Sequence, residues 1–119
     1  MKKVVVLGAS PNPERFSYKA VQSLLQRNYN VIAVGIRHGF IGDLPILTEM
    51  PDVASVDTVL LYIGPGHQKE YYETIIKLAP RRVIFNPGTE NPELIHLCQK
   101  NRIEVILDCT LVMLCSGLF

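Results

Sequence analysis

Val4-Val5-Val6-Leu7-Gly8-Ala9-Ser10-Pro11-Asn12-Pro13-Glu14-Arg15-Phe16-Ser17-Tyr18 is the stretch that decides the fold. A continuous apolar run is the pattern of a strand buried on both faces, as in a parallel sheet. It ends at a glycine, passes through a short polar loop and enters an amphipathic helix, with Ala20, Val21, Leu24 and Leu25 on one face. Ser17 reads as the N-cap of that helix. A helix start placed there brings backbone N–H groups and the positive end of a dipole to a point where a phosphate fits. A dinucleotide fingerprint G-x-G-x-x-G beginning at Gly8 requires glycine at positions 10 and 13, which are Ser10 and Pro13.

The pattern then repeats. Residues 3–8, 31–36, 58–63, 82–85 and 103–107 read as five strands, with helical segments between most of them. Tyr71, Tyr72, Ile75, Ile76 and Ala79 lie at helical spacing before Pro80, and Asn91-Pro92 opens a further helix with an N-cap and a first-turn proline. The stretch from Arg37 to Pro51 reads as a weakly defined connection. The apolar stretch Leu111 to Phe119 reads as core ending in a short helix, with a dimer contact as the alternative. The expectation is an α/β fold: one domain over residues 1–119, a doubly wound, five-stranded parallel, Rossmann-like sheet with helices on both faces. Ligands of such sheets bind beyond the carboxyl ends of the strands, where the strand order reverses.

Composition narrows the function. The chain has 119 residues, a net charge of +1, 48% apolar and 19% charged residues, an ordinary globular balance. That balance gives no reason to expect nucleic acid or an anionic membrane as partner, and no run is long enough for a signal peptide or a membrane span. The expected compartment is the cytoplasm. Cys98, Cys109 and Cys115 include no C-x-x-C and read as small buried hydrophobes, while His38, His67 and His96 have no metal-ligand spacing. No metal is expected. No nucleophile–base–orienter set and no carboxylate pair occurs near the loops, so the reading leans away from an enzyme.

The residues after strand two choose among cofactors. An NAD site places an acid about 20 residues beyond the glycine loop, to hold the ribose hydroxyls. Here Val34-Gly35-Ile36-Arg37 has no acid, and its first charge is basic. A cation suits an adenosine carrying an extra ribose phosphate, as in coenzyme A or NADP.

Gly8-Ala9-Ser10-x-Asn12-Pro13-x-Arg15-x-Ser17-Tyr18 resembles the signature of small bacterial CoA-binding-domain proteins, whose fold is similar to the nucleotide-binding domain of the succinyl-CoA synthetase alpha subunit. The resemblance runs on through Asn28-Tyr29-x-Val31-Ile32-x-Val34, Gly42 with Pro45, Val56-Asp57, Asn91-Pro92-Glu93 and Asp108-Cys109. It implies coenzyme A or an acyl-CoA as ligand, bound by a module without catalysis of its own. NADP, in a small oxidoreductase or redox-sensing domain, is the alternative. After Gly8, the small Ala9 and Ser10 allow close backbone approach; Ser10, Asn12 and Ser17 offer hydroxyl and amide groups to a phosphate, and Arg15 offers a charge. On this resemblance Ser10, Pro11, Asn12 and Pro13 line the phosphate-bearing part of the ligand, and Arg37 stands where the family has a lysine contacting it. Ile63, Gly64 and Pro65 form a wall beside adenine or the pantetheine arm, and Asn86-Pro87-Gly88 closes the floor. The family commonly reads Val-Asn-Pro-Lys where this chain has Val34-Gly35-Ile36-Arg37.

Overall fold

The computed structural model describes residues 2–119; Met1, the first residue of the expected domain, lies outside them. In chain order the elements are β1 (Lys3–Leu7), α1 (Phe16–Gln26), β2 (Asn30–Val34), β3 (Gly39–Ile41), β4 (Leu44–Leu47) and β5 (Val56–Leu61). They continue with two single 3-10 turns (Pro65–His67 and Lys69–Tyr71), α2 (Tyr72–Leu78), β6 (Arg82–Phe85), α3 (Pro92–Lys100), β7 (Glu104–Leu107) and α4 (Thr110–Ser116).

The strands form one sheet in the order β3-β4-β2-β1-β5-β6-β7. The apolar run that opens the chain is its central strand, and period-two alternation divides its side chains between two cores. Val4 and Val6 pack with Val21 and Leu24 of α1 and with Met113 and Leu114 of α4. Val5 and Leu7 pack on the other face with Ile75 of α2 and with Leu94 and Cys98 of α3. All four β1 side chains are fully buried, and each contributes about 1.5–3 kcal/mol relative to an exposed position.

The sheet has seven strands rather than the expected five, and one pair is antiparallel. The segment expected to be an irregular connection folds as a hairpin in which Gly39, Phe40 and Ile41 pair with Ile46, Pro45 and Leu44. Its two-residue turn is Gly42-Asp43, with Gly42 at φ +60, and a glycine first in a tight turn matches the twist of the flanking strands. The hairpin extends the sheet because Ala33 and Val34 of β2 pair in parallel with Ile46 and Leu47. Three- and four-residue strands carry little periodicity, and Pro45 argues against a strand anywhere but near an edge.

Other boundaries move for local reasons. Arg15, not Ser17, holds the N-cap position of α1, with extended φ −75 and ψ 143. Asn12 makes a turn that starts the helix earlier: its Oδ1 accepts from the Glu14 N–H at 3.0 Å and its carbonyl from the Arg15 N–H at 3.1 Å. Ser17 is buried in the first turn. Asn91 does cap α3, its side chain accepting from the Glu93 N–H at 3.1 Å with Pro92 following.

The amino ends of the strands are closed by an ionic chain. Arg82 opens β6 and is buried. It donates from Nε to Thr58 Oγ1 at 2.9 Å and from Nη2 to the Phe119 carbonyl at 2.8 Å, its guanidinium 4.5 Å from the Phe119 ring centre. The Thr58 hydroxyl donates in turn to Asp57 Oδ2 at 2.6 Å, and Arg81 Nε lies 2.9 Å from Asp57 Oδ1. Burial acts to raise the Asp57 pKa, but the hydrogen bonds from Arg81 and Thr58 outweigh it and hold the carboxyl below its ordinary value.

Candidate functional site

β1 joins β2 on one side, and the chain later crosses back so that β5 flanks β1 on the other. The strand order therefore reverses beside β1, and the carboxyl-end loops there stand where open α/β sheets bind their ligands.

Two glycines bring these loops together. Gly8 has φ +95, a conformation that favours glycine, and a Cβ on it would lie 2.8 Å from both the Tyr62 carbonyl carbon and Ile63 Cγ2. A Cβ on Gly35 would lie 2.2 Å from the Ala9 carbonyl oxygen. The family's asparagine at that point has no room here, so Gly35 is the residue that lets the loop after β1 rest on the end of β2. The Val34 carbonyl accepts from both the Gly8 and the Ala9 N–H at 2.9 Å, while Gly35 N–H donates to the Leu47 carbonyl at 2.8 Å. β2 runs from Asn30 to Val34 rather than over the expected residues 31–36. Gly39 lies against Pro11, with a Cβ there only 2.8 Å from Pro11 Cβ. The loop carrying Ile36 and Arg37 is thus held beside the loop running from Gly8 to Pro13.

The donors and acceptors of this corner are unevenly used. Ser10 Oγ accepts from the Asn12 N–H at 3.1 Å, and Asn12 Oδ1 is taken by Glu14. The Ser10 hydroxyl proton and the Asn12 amide protons remain as donors. No side chain caps α1 and no acid occupies its first turn, so its leading N–H groups stay open. Asn12, Pro13 and Arg15 are exposed, Ser10 and Pro11 are half-buried, and Ala9 is buried. Arg37 is exposed, and the ion pairs among the described residues, Arg81 with Asp57 and with Glu104, leave it free. With Arg15 and Arg37 against the single exposed acid Glu14, the corner presents donors and a small excess of positive charge, the complement of an anion.

On the other side of the crevice, Ile63 is half-buried against Gly8, while Gly64 and Pro65 are exposed and lead into the first 3-10 turn. His67 lies in that turn. The loop is held from below by Gln68, which is fully buried and which sequence reasoning missed. Gln68 Nε2 donates to the carbonyls of Ile63 at 2.9 Å and Thr89 at 2.7 Å, and its Oε1 accepts from Asn91 Nδ2 at 3.0 Å. Asn91 Nδ2 also reaches the Tyr72 hydroxyl at 2.7 Å. A lone glutamine between a histidine and a lysine gives no sign in the sequence of this role.

Asn86, expected to close the floor of the site, has both ends of its amide engaged within the protein. Nδ2 donates to the Leu61 carbonyl at 3.1 Å, and Oδ1 accepts from the Thr110 N–H at 2.8 Å. It clamps β5 to α4, and the exposed surface there belongs to Pro87 and Gly88. Beside it the Tyr62 hydroxyl and Thr110 Oγ1 are buried without a hydrogen-bond partner among the described residues, and burial pushes the Tyr62 phenol up to about 12. An open groove of about 450 Å³ on the outer side of α2 and α3, lined by Tyr72, Glu73, Ile76, Lys77, Leu97 and Asn101, touches none of these loops.

Comparison with known proteins decides the family. A family model described as CoA binding domain matches residues 2–114. The chain belongs to that family. As a CoA-binding-domain protein it is similar to an uncharacterised protein of known crystal structure, with 45% identity and a TM-score of 0.96 over 100% of this chain and 98% of that one. A hypothetical protein from Pyrococcus horikoshii OT3 shares 24% identity at a TM-score of 0.86, over 98% of this chain and 83% of that one. A protein from Thermus thermophilus shares 20% identity at 0.83, over 99% and 90%. The last two likenesses show the fold alone. Among curated proteins no match is found. No helix among the described residues is long and apolar enough to cross a membrane.

Proposed function

We propose that this CoA-binding-domain protein is a module for coenzyme A or an acyl-CoA, holding the ligand phosphates at the loop between β1 and α1 and performing no catalysis by itself. The observation that carries the reading is the excess of donors at one corner: the Ser10 hydroxyl, the Asn12 amide and the uncapped start of α1 lie on the loop against which Gly35 and Gly39 hold the Arg37 segment. Arg37 serves the 3′-phosphate of the adenosine ribose. Ile63, Gly64 and Pro65 on one side, with Pro87 on the floor, bound the rest of the ligand.

Thermal-shift titration with coenzyme A, dephospho-coenzyme A, NADP and NAD tests this. A ligand at 100 times its Kd stabilises the native state by about 2.7 kcal/mol, so a raised Tm with coenzyme A is expected. A rise with NADP and none with coenzyme A overturns the reading in favour of the NADP alternative. Arg37→Ala is expected to weaken coenzyme A about tenfold, the range of one charge-assisted phosphate contact, and to leave dephospho-coenzyme A unchanged. Equal losses for both ligands remove Arg37 from this role.

A further inference from the structure

The three cysteines have different settings. Cys98 is buried, and burial pushes its thiol up to about 11. Cys115 is exposed on α4, while Cys109, between β7 and α4, is half-buried. Cys109 adjoins the buried side-chain polar atoms that lack a hydrogen-bond partner among the described residues, the Tyr62 hydroxyl and Thr110 Oγ1. Thr110 is fully buried, and Tyr62, the first residue beyond β5, packs among side chains of α1 and α4. Burial is the main cause of the raised Tyr62 pKa, with Thr110 opposing it and the charge of a Cys109 thiolate adding to it, so the three groups are neighbours. Even turned towards each other, the two hydroxyls would leave one proton without an acceptor. Such a spot is matched to a ligand carbonyl, which accepts from two donors.

Reach agrees with chemistry. β5, β6 and β7 follow β1 in the sheet, so its carboxyl edge from β1 to β7 spans three strand spacings, about 14 Å. The arm of coenzyme A between pyrophosphate and sulfur has about twelve chain bonds, which extend to about 15 Å at the reach per bond of an extended backbone. Phosphates held at the loop between β1 and α1 therefore bring the sulfur level with Cys109, the amide carbonyls of the arm passing Tyr62.

We infer, resting on the function proposed above, that Cys109 is a thiol–disulfide exchange site for the oxidised, disulfide form of coenzyme A. The Cys109 thiolate attacks one sulfur of the ligand disulfide. That S–S bond breaks, a disulfide between Cys109 and one coenzyme A forms, and the second coenzyme A leaves as a thiolate that takes up the proton Cys109 gave up. Anchoring the charged end raises the effective concentration of the disulfide at this thiol, and Cys115 receives no such help.

Peptide mapping of the reduced full chain, after brief exposure to coenzyme A disulfide or to pantethine, tests this. Pantethine is the same disulfide without the adenosine phosphates. Adduct formation at Cys109 is expected to be about tenfold or more faster with coenzyme A disulfide, while Cys115 treats the two alike. Adenosine 3′,5′-bisphosphate, which carries the charged end without a sulfur, is expected to slow Cys109 and not Cys115. Cys115→Ser should keep the fast adduct and Cys109→Ser abolish it. Equal rates at Cys109 with both disulfides, or a fast adduct on Cys115, overturn this inference alone when the Tm still rises with coenzyme A. A Tm that does not respond to coenzyme A overturns the proposed function and this inference together.

Discussion

At the amino ends of the strands, polar groups form a closed ionic chain from Arg81 through Asp57 and Thr58 to Arg82 and the Phe119 carbonyl. At the carboxyl ends the internal bonds are carried by neutral amides, Gln68, Asn86 and Asn91, which hold loops by their backbone carbonyls and by each other. The charges of the loops at the second end, Arg15 and Arg37 with the acids Glu14, Glu90 and Asp108, are exposed and outside the ion pairs. One end ties its charges to one another and the other leaves its arginines to solvent. Neutral amides can fix a loop without cancelling the field at its surface, so they suit an edge that must stay attractive to an anion.

Substitutions at each end separate these roles. Arg82→Ala removes a buried cation and leaves Thr58 and the Phe119 carbonyl without their donor. A loss of about 2–4 kcal/mol is expected from the two lost charge-assisted hydrogen bonds, read by urea denaturation, with the coenzyme A response of the folded protein retained. Loss of that response would break the separation of the two ends. Gln68→Leu strands the Ile63 and Thr89 carbonyls and is expected to cost about 2–3 kcal/mol while weakening coenzyme A, because the wall at Ile63 loosens. Gly35→Ala forces the Ala9 carbonyl to move, with an expected cost of about 1–3 kcal/mol. Its sharper signature is loss of the coenzyme A thermal shift in a protein that still folds cooperatively.

The smallest expected effects are in pH. The Asp57 carboxyl is depressed in the folded state, so its contribution is complete above the ordinary carboxylate value near 4 and is lost as pH falls through the folded value. Tyr62 runs the other way. Its phenol is raised from 10.0 to about 12, so its contribution is complete below pH 10 and is lost as pH rises towards 12. Acid is expected to loosen the amino ends and alkali the carboxyl ends. Urea midpoints against pH for Asp57→Asn and Tyr62→Phe check this: each should flatten one limb of the wild-type profile and leave the other unchanged.

Legibility in the sequence followed the same division. The central strand, the other parallel strands and the Asn91-Pro92 helix start were readable because burial on both faces and capping leave a local pattern. The loop chemistry at Ser10, Asn12 and Arg37 was readable as residue types, although the internal bonds of Ser10 and Asn12 were not. The hairpin at Gly39–Leu47 was too short to carry a period, despite the glycine of its turn. Gln68, Asn86 and Arg82 act across 21 to 37 residues of chain, and nothing in their neighbours' types announces a distant partner. Gly35 reads in sequence as a missing asparagine, and only the Ala9 carbonyl beside it shows that a side chain has no place there.

The Val34 carbonyl, which accepts from Gly8 and Ala9 together, has a consequence for how a ligand arrives. A loop rooted by two bonds to one oxygen, with Pro11 and Pro13 fixing φ beyond the root, has little conformational freedom left to surrender. Under the function proposed above, an anion reaching it would find its donors already oriented, and the entropy of association would fall mainly on the incoming molecule rather than on the protein. A long, flexible ligand anchored first at its charged end would then order its remaining length against a surface that has stopped moving.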